Sequence, residues 1–123
     1  MTKLPMIARI ILGIVLLVFG VNKFLNFMPM PPMEGDAATF MNGLGVSGYM
    51  FPLLGIIEIL VGVLLILNKT VPFALVLLAP LAVNMVLFHA AMAPLGILPA
   101  AIVFILNAYL LYANWDKFKG LFN

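Results

Sequence analysis

Four apolar runs divide the chain, at residues 6–24, 47–67, 71–91 and 95–114. Each is roughly 20 residues long, which at about 1.5 Å per residue crosses a hydrocarbon core of about 30 Å. The pattern predicts four membrane-spanning helices. The first run follows Lys3 and Pro5 and continues almost unbroken from Ile10 to Val21. It resembles the apolar part of a signal peptide, but no small-x-small cleavage pattern follows at Phe19-Gly20-Val21-Asn22-Lys23, so a retained span is expected.

Connections between the runs constrain how the helices pack. Asn68-Lys69-Thr70 is so short that the second and third spans must be antiparallel neighbours. Pro72 falls where a helix start tolerates a missing N–H, and Pro99 falls in the first turn of the fourth span. The one long connection, residues 26–46, opens with Met28-Pro29-Met30-Pro31-Pro32-Met33, too rich in proline for a helix. After it, Asp36 is expected to cap a short amphipathic turn, residues 37–44, with Phe40, Met41 and Leu44 on one face. That segment is expected to lie on the membrane surface or to lid the helices. The whole reads as all-α: an integral membrane, antiparallel four-helix bundle forming a single transmembrane domain over residues 1–123.

Composition supports this class. Of 123 residues, 66% are hydrophobic and 8% charged, whereas a soluble domain carries about 25% charged residues. Mean hydropathy is +1.27. The absence of cysteine excludes disulfides and thiolate metal sites, and a single His excludes a His cluster within one chain, so no metal site is assigned. Six bases against four acids make no basic patch, which excludes nucleic acid as a partner. The bases instead report orientation. Lys3, Arg9, Lys69, Lys117 and Lys119 fall on one side of a four-span layout and Lys23 on the other, which places both termini in the cytoplasm.

Polar groups inside spans are costly and so are functional candidates. Glu58 lies near the midplane of the second span, on one face with Gly55 and Gly62. It is either a structural residue, neutral or paired with Arg9, or a ligand- and proton-handling one. The first span carries a heptad stripe of Arg9, Gly13, Leu16, Gly20 and Lys23. The third carries Pro80, Asn84 and His89, and the fourth a seam of Ala100, Phe104, Asn107, Leu111 and Asn114. Counted from the cytoplasmic end at about 1.5 Å per residue, Glu58 lies about 15 Å deep, Asn84 about 20 Å, Lys23 about 26 Å and His89 about 27 Å. Depth alone therefore groups Lys23 with His89, and Glu58 with Asn84. Asn84 and His89 stand roughly 140° apart on their helix, so a kink or helix end is needed for both to face one centre. These four are the candidate ligand-binding residues, with Arg9 and Asn107 supporting. Phe24, Phe51 and Phe88 are expected to wall an outer-half pocket, under a lid formed by residues 28–46. The thioethers of Met28, Met30 and Met33 leave a copper(I) site open as an alternative to a membrane-lying loop.

Arg9…Leu12-Gly13…Phe19-Gly20-x-Asn22-Lys23-Phe24, Phe27-Met28-Pro29-Met30-Pro31-Pro32-Met33, Gly48-Tyr49…Pro52…Gly55-Ile56-Ile57-Glu58…Gly62 and Pro72…Ala79-Pro80…Asn84…Leu87-Phe88-His89 together resemble the DoxX family. After His89 the resemblance thins to Ala93-Pro94-x-Gly96. It implies a four-helix protein of the bacterial inner membrane, associated with redox systems and their oxidoreductase subunits. It implies no activity for this chain, whose lack of cysteine argues against thiol redox chemistry.

Three functions follow from these residues. The first is a redox-associated subunit holding a quinone or similar lipophilic molecule in the outer half. The second is a non-enzymatic scaffold with structural polar groups. The third is a small transporter using Glu58, which four spans without a visible inverted repeat support least. The lipid bilayer is the expected surrounding, with homo-oligomers an open possibility.

The orientation is testable in intact cells. Glu34→Cys, Lys69→Cys and Asn123→Cys are introduced singly into the cysteine-free chain. A membrane-impermeant maleimide is expected to label position 34 and to spare positions 69 and 123. Labelling at 69 with 34 protected reverses the topology.

Overall fold

The computed structural model describes residues 3–25 and 34–122. The expected lid and copper positions at Met28, Met30 and Met33 lie outside the described residues. Five α-helices make up the described chain: α1 (Lys3–Leu25), α2 (Gly35–Val46), α3 (Met50–Leu67), α4 (Val71–Met92) and α5 (Ile97–Ala113). No strand occurs among the described residues. By length and composition α1, α3 and α4 can each cross a membrane, and α5 is an apolar helix of 17 residues. At about 26 Å, α5 lies at the short end of what a span requires.

Helix ends differ from the expectation where turn chemistry intervenes. α3 begins at Met50 rather than at residue 47, because Ser47 Oγ accepts the Met50 N–H at 3.2 Å and Gly48 adopts φ +81°. Asp36 does not cap α2: the cap is Glu34, without a side-chain bond, and Asp36 lies inside the first turn. The face expected on α2 is present, with Ala37 buried and Phe40, Met41 and Leu44 half-buried. A 3-10 turn at Pro94–Gly96 delays the start of α5 to Ile97. Pro80 falls inside α4, which continues through it to Met92.

α1 packs on α3 and α5, and α4 packs on α3 and α5. Leu12, Leu16, Val61, Leu65, Leu75, Leu78, Val103 and Leu110 are fully buried between them. The outward faces are apolar too, with Ile14, Ile56, Leu87 and Ile105 each half or more exposed. A water-soluble protein does not present such a surface. On α5 the buried positions are Ala100, Val103, Asn107 and Leu110, so the seam runs one residue away from the expected Phe104 and Leu111. Phe104 turns outward, and the smaller Val103 fills the interior.

The closest contact is between α1 and α3. A Cβ built on Gly62 would stand 2.8 Å from the Gly13 carbonyl oxygen, and one on Gly20 would stand 3.0 Å from that of Gly55. The pairing of Gly13 with Gly62 and Gly20 with Gly55 defines an antiparallel register in which one heptad of α1 matches one of α3. Inside a bilayer, burial of apolar surface contributes little to helix association, and close packing of small residues takes its place.

The glycines are therefore unequal. Gly62→Ala drives a methyl group into backbone and is expected to cost about 1–3 kcal/mol, read as a lower Tm in detergent. Gly43→Ala on α2 meets nothing within 4 Å and is expected to leave Tm unchanged or slightly raised.

Candidate functional site

The glycine contact determines where the charges go. Lys23 lies in the last turn of α1, three residues beyond Gly20, and Glu58 lies three residues from Gly55 on α3. Their backbones are thus offset along the helix axis by about 9 Å. The side chains close this gap because every Cα–Cβ bond tilts toward its own helix N-terminus. In an antiparallel pair Lys23 leans back toward the start of α1 and Glu58 back toward the start of α3, toward each other. Lys23 Nζ donates to both carboxylate oxygens of Glu58, at 3.0 Å each. The Glu58 side chain is 4% exposed and that of Lys23 24%. Glu58 is therefore interior, as its glycine stripe predicted. Its partner is Lys23, whereas the expected partners were Arg9 by charge and Asn84 by depth.

Arg9 serves the opposite end of the same contact. Its Nη1 donates to the carbonyl oxygens of Leu65 and Ile66 in the last turn of α3. Carbonyls there have no helical donors ahead of them, and a cation complements the negative end of the helix. The α3 terminus is completed by Asn68 at φ +58°, with the Lys69 N–H bonded to the Leu64 carbonyl at 3.0 Å. A cleft of about 280 Å³ at this end is lined by Pro5, Arg9, Asn68, Leu110, Asn114 and Lys117 among others. The start of α1, the α3–α4 turn and the end of α5 therefore share one end of the molecule.

The remaining candidates do not converge on Glu58. Asn107 is buried and donates to the Leu75 carbonyl of α4 at 3.1 Å, an interhelical bond that uses neither Arg9 nor Glu58. His89 Nδ1 bonds the Ala93 carbonyl at 3.2 Å, so Nδ1 carries the proton. The ring sits over Gly96, where a Cβ would approach it to 3.1 Å. His89 thus braces the α4–α5 connection and is not brought to Lys23 as equal depth had implied. Asn84 lies on the exposed face of α4, away from the interior. The roughly 140° between Asn84 and His89 keeps them on different faces.

Of the expected aromatic wall, Phe88 is buried against Phe40 of α2, ring centroids 5.3 Å apart. Phe24 covers Gly55 and is 47% exposed. Phe51 lines a groove of about 550 Å³ under α2 with Ala38, Thr39, Met41, Asn42 and Gly45. Neither cleft is lined by Lys23, Glu58, Asn84 or His89. Asn22 is a further buried polar residue, 6% exposed, that the seam arguments missed. The signal for it was simple: an amide within an apolar span needs a protein partner to be satisfied.

Among the described residues, no group of three or more acidic, His or Cys side chains is placed to hold a metal. The arrangement that joins two ionisable side chains within the described α-helices is the Lys23–Glu58 pair. An ammonium has three donors, of which the carboxylate takes two, and the Lys23 side chain remains partly exposed.

Breaking the pair one residue at a time is the test of its weight. Glu58→Leu leaves the Lys23 ammonium unpaired and is expected to destabilise by about 3–5 kcal/mol. Glu58→Gln retains an acceptor and is expected to cost less. Lys23→Met combined with Glu58→Leu is expected to recover most of the loss, measured by thermal unfolding in one detergent. A double variant no better than Glu58→Leu removes the coupling.

No curated protein and no solved structure matches the chain. The sequence pattern that defines DoxX matches residues 4–91, which takes in α1 through nearly all of α4 and both members of the ion pair. Covering more than half of the 123 residues, with three apolar helices of spanning length within or nearly within the match, it makes this chain a membrane protein of the DoxX family.

Proposed function

We propose that the protein is a redox-associated subunit of the bacterial inner membrane, a single domain that receives a quinone or similar small lipophilic molecule at the Lys23–Glu58 pair. In this reading α1, α3, α4 and α5 are four antiparallel spans, both termini are cytoplasmic, and the pair lies in the outer half. Oxidoreductase subunits are the proposed partners. The observation that carries the proposal is a fully buried acid on a span, paired with a lysine that keeps 24% of its side chain exposed. Ionisable groups at such depth are costly and serve pathways or ligands. An N–H of the partly exposed Lys23 suits a carbonyl oxygen, Glu58 suits proton exchange beside it, and the exposed ring of Phe24 offers an apolar flank. A bound quinone supplies a carrier of two electrons and two protons. Asn84 and His89 have no part in this site, because one faces outward and the other is bonded to Ala93.

A specific observation favours a second reading, the non-enzymatic scaffold. Arg9, Lys23, Glu58, His89 and Asn107 all have protein partners, so the polar interior is satisfied without any ligand. Binding of a ubiquinone analogue to the purified protein separates the two. Lys23→Met is expected to weaken binding roughly tenfold, about one charge-assisted hydrogen bond. His89→Phe is expected to leave the affinity unchanged. No binding, or equal affinity in Lys23→Met and Glu58→Gln, leaves the scaffold.

A further inference from the structure

Asn84 stands apart from every interaction described so far. It lies thirteen residues beyond Val71 and eight before Met92 on α4, about 20 Å and about 12 Å from the two ends. Both distances place it within the hydrocarbon of a spanning helix. Its side chain is exposed, and its carboxamide has no hydrogen-bond partner among the described residues. Asn107 shows the ordinary solution, turning inward to a backbone carbonyl. An amide facing lipid tails is costly until something pairs with it.

The surface around Asn84 has the form of a helix seam. Phe73, Pro80, Leu87 and Ala91 are exposed and Leu77 is half-buried, and with Asn84 they step along α4 at intervals of four, three, four, three and four. That spacing is the one by which a second helix docks. Asn84 is itself a member of this stripe, four residues from Pro80 and three from Leu87. We propose that this face packs against the same face of a second copy of the chain, with the two Asn84 carboxamides hydrogen-bonded to each other. A carboxamide carries both donor and acceptor, so it is complementary to itself. A two-fold axis along the membrane normal brings identical residues together at identical depth. An identical helix inserted in the same orientation meets that condition automatically. A single Asn in an otherwise apolar seam also selects a dimer and its register. The proposal rests on α4 spanning the membrane and is independent of any quinone.

The chain contains no cysteine, so disulfide trapping reads the interface directly. Leu87→Cys is expected to crosslink into a dimer in native membranes on mild oxidation. Ile105→Cys, on the outward face of α5, is expected not to. In liposomes, Asn84→Leu should lower the dimer association constant by about three- to thirtyfold, the range for one interhelical polar contact. Asn84→Gln should retain part of it. A monomer at all protein-to-lipid ratios overturns the proposal. So does crosslinking from position 105 in place of 87, or from 87 to a different polypeptide. Leu87→Cys trapping keeps Asn84 itself, so it decides the matter even if Asn84→Leu fails to fold.

Discussion

The close approach of α1 to α3 is the constraint on which the other interactions depend. Glycine pairs at Gly13–Gly62 and Gly20–Gly55 let the two backbones touch. Once they touch, the register is determined, and the charged ends of the α1 stripe have only one place to go. Arg9 arrives at the C-terminal carbonyls of α3, and Lys23 arrives at Glu58. A slip of one turn would separate both at once. In lipid, where apolar burial drives association weakly, such a combination of steric fit and paired polar groups specifies the arrangement.

The polar interior resolves mainly onto backbone. Arg9, Asn107 and His89 each end on carbonyl oxygens: of the α3 terminus, of α4 and of the α4–α5 connection. These bonds hold helices and turns in place and leave little free chemistry. The Lys23–Glu58 pair differs, because both members are ionisable side chains and one retains access to its surroundings. A buried ion pair is weak evidence for stability alone, since desolvation offsets much of the attraction. That imbalance is the physical reason for proposing a function at the pair.

Much of this was legible in the residues. Run length and the short Asn68-Lys69-Thr70 connection announced spanning helices and an antiparallel pair. The 4-3-4-3 stripe on α1 and the Gly55-Glu58-Gly62 face on α3 were each visible as an interface. The amphipathic face of α2 was visible too. Helix periodicity and residue size suffice for such inferences, because they concern one element at a time.

Pairings between elements belonged to the tertiary structure. Depth counted along each helix set Lys23 level with His89 and Glu58 with Asn84, yet Lys23 bonds Glu58, His89 bonds Ala93 and Asn84 faces outward. Depth measures backbone height, whereas the tilt of side chains toward their own N-termini carried Lys23 and Glu58 across about 9 Å to one another. Arg9 found carbonyls, which no sequence pattern marks as a partner. Rotation about the helix axis sent Asn84 outward and chose Val103 over Phe104 for the interior. Sequence by itself determined which residues had to avoid lipid and which faces could meet. Only the folded chain decided which of them did, because backbone contact at four glycines set rotation and register together.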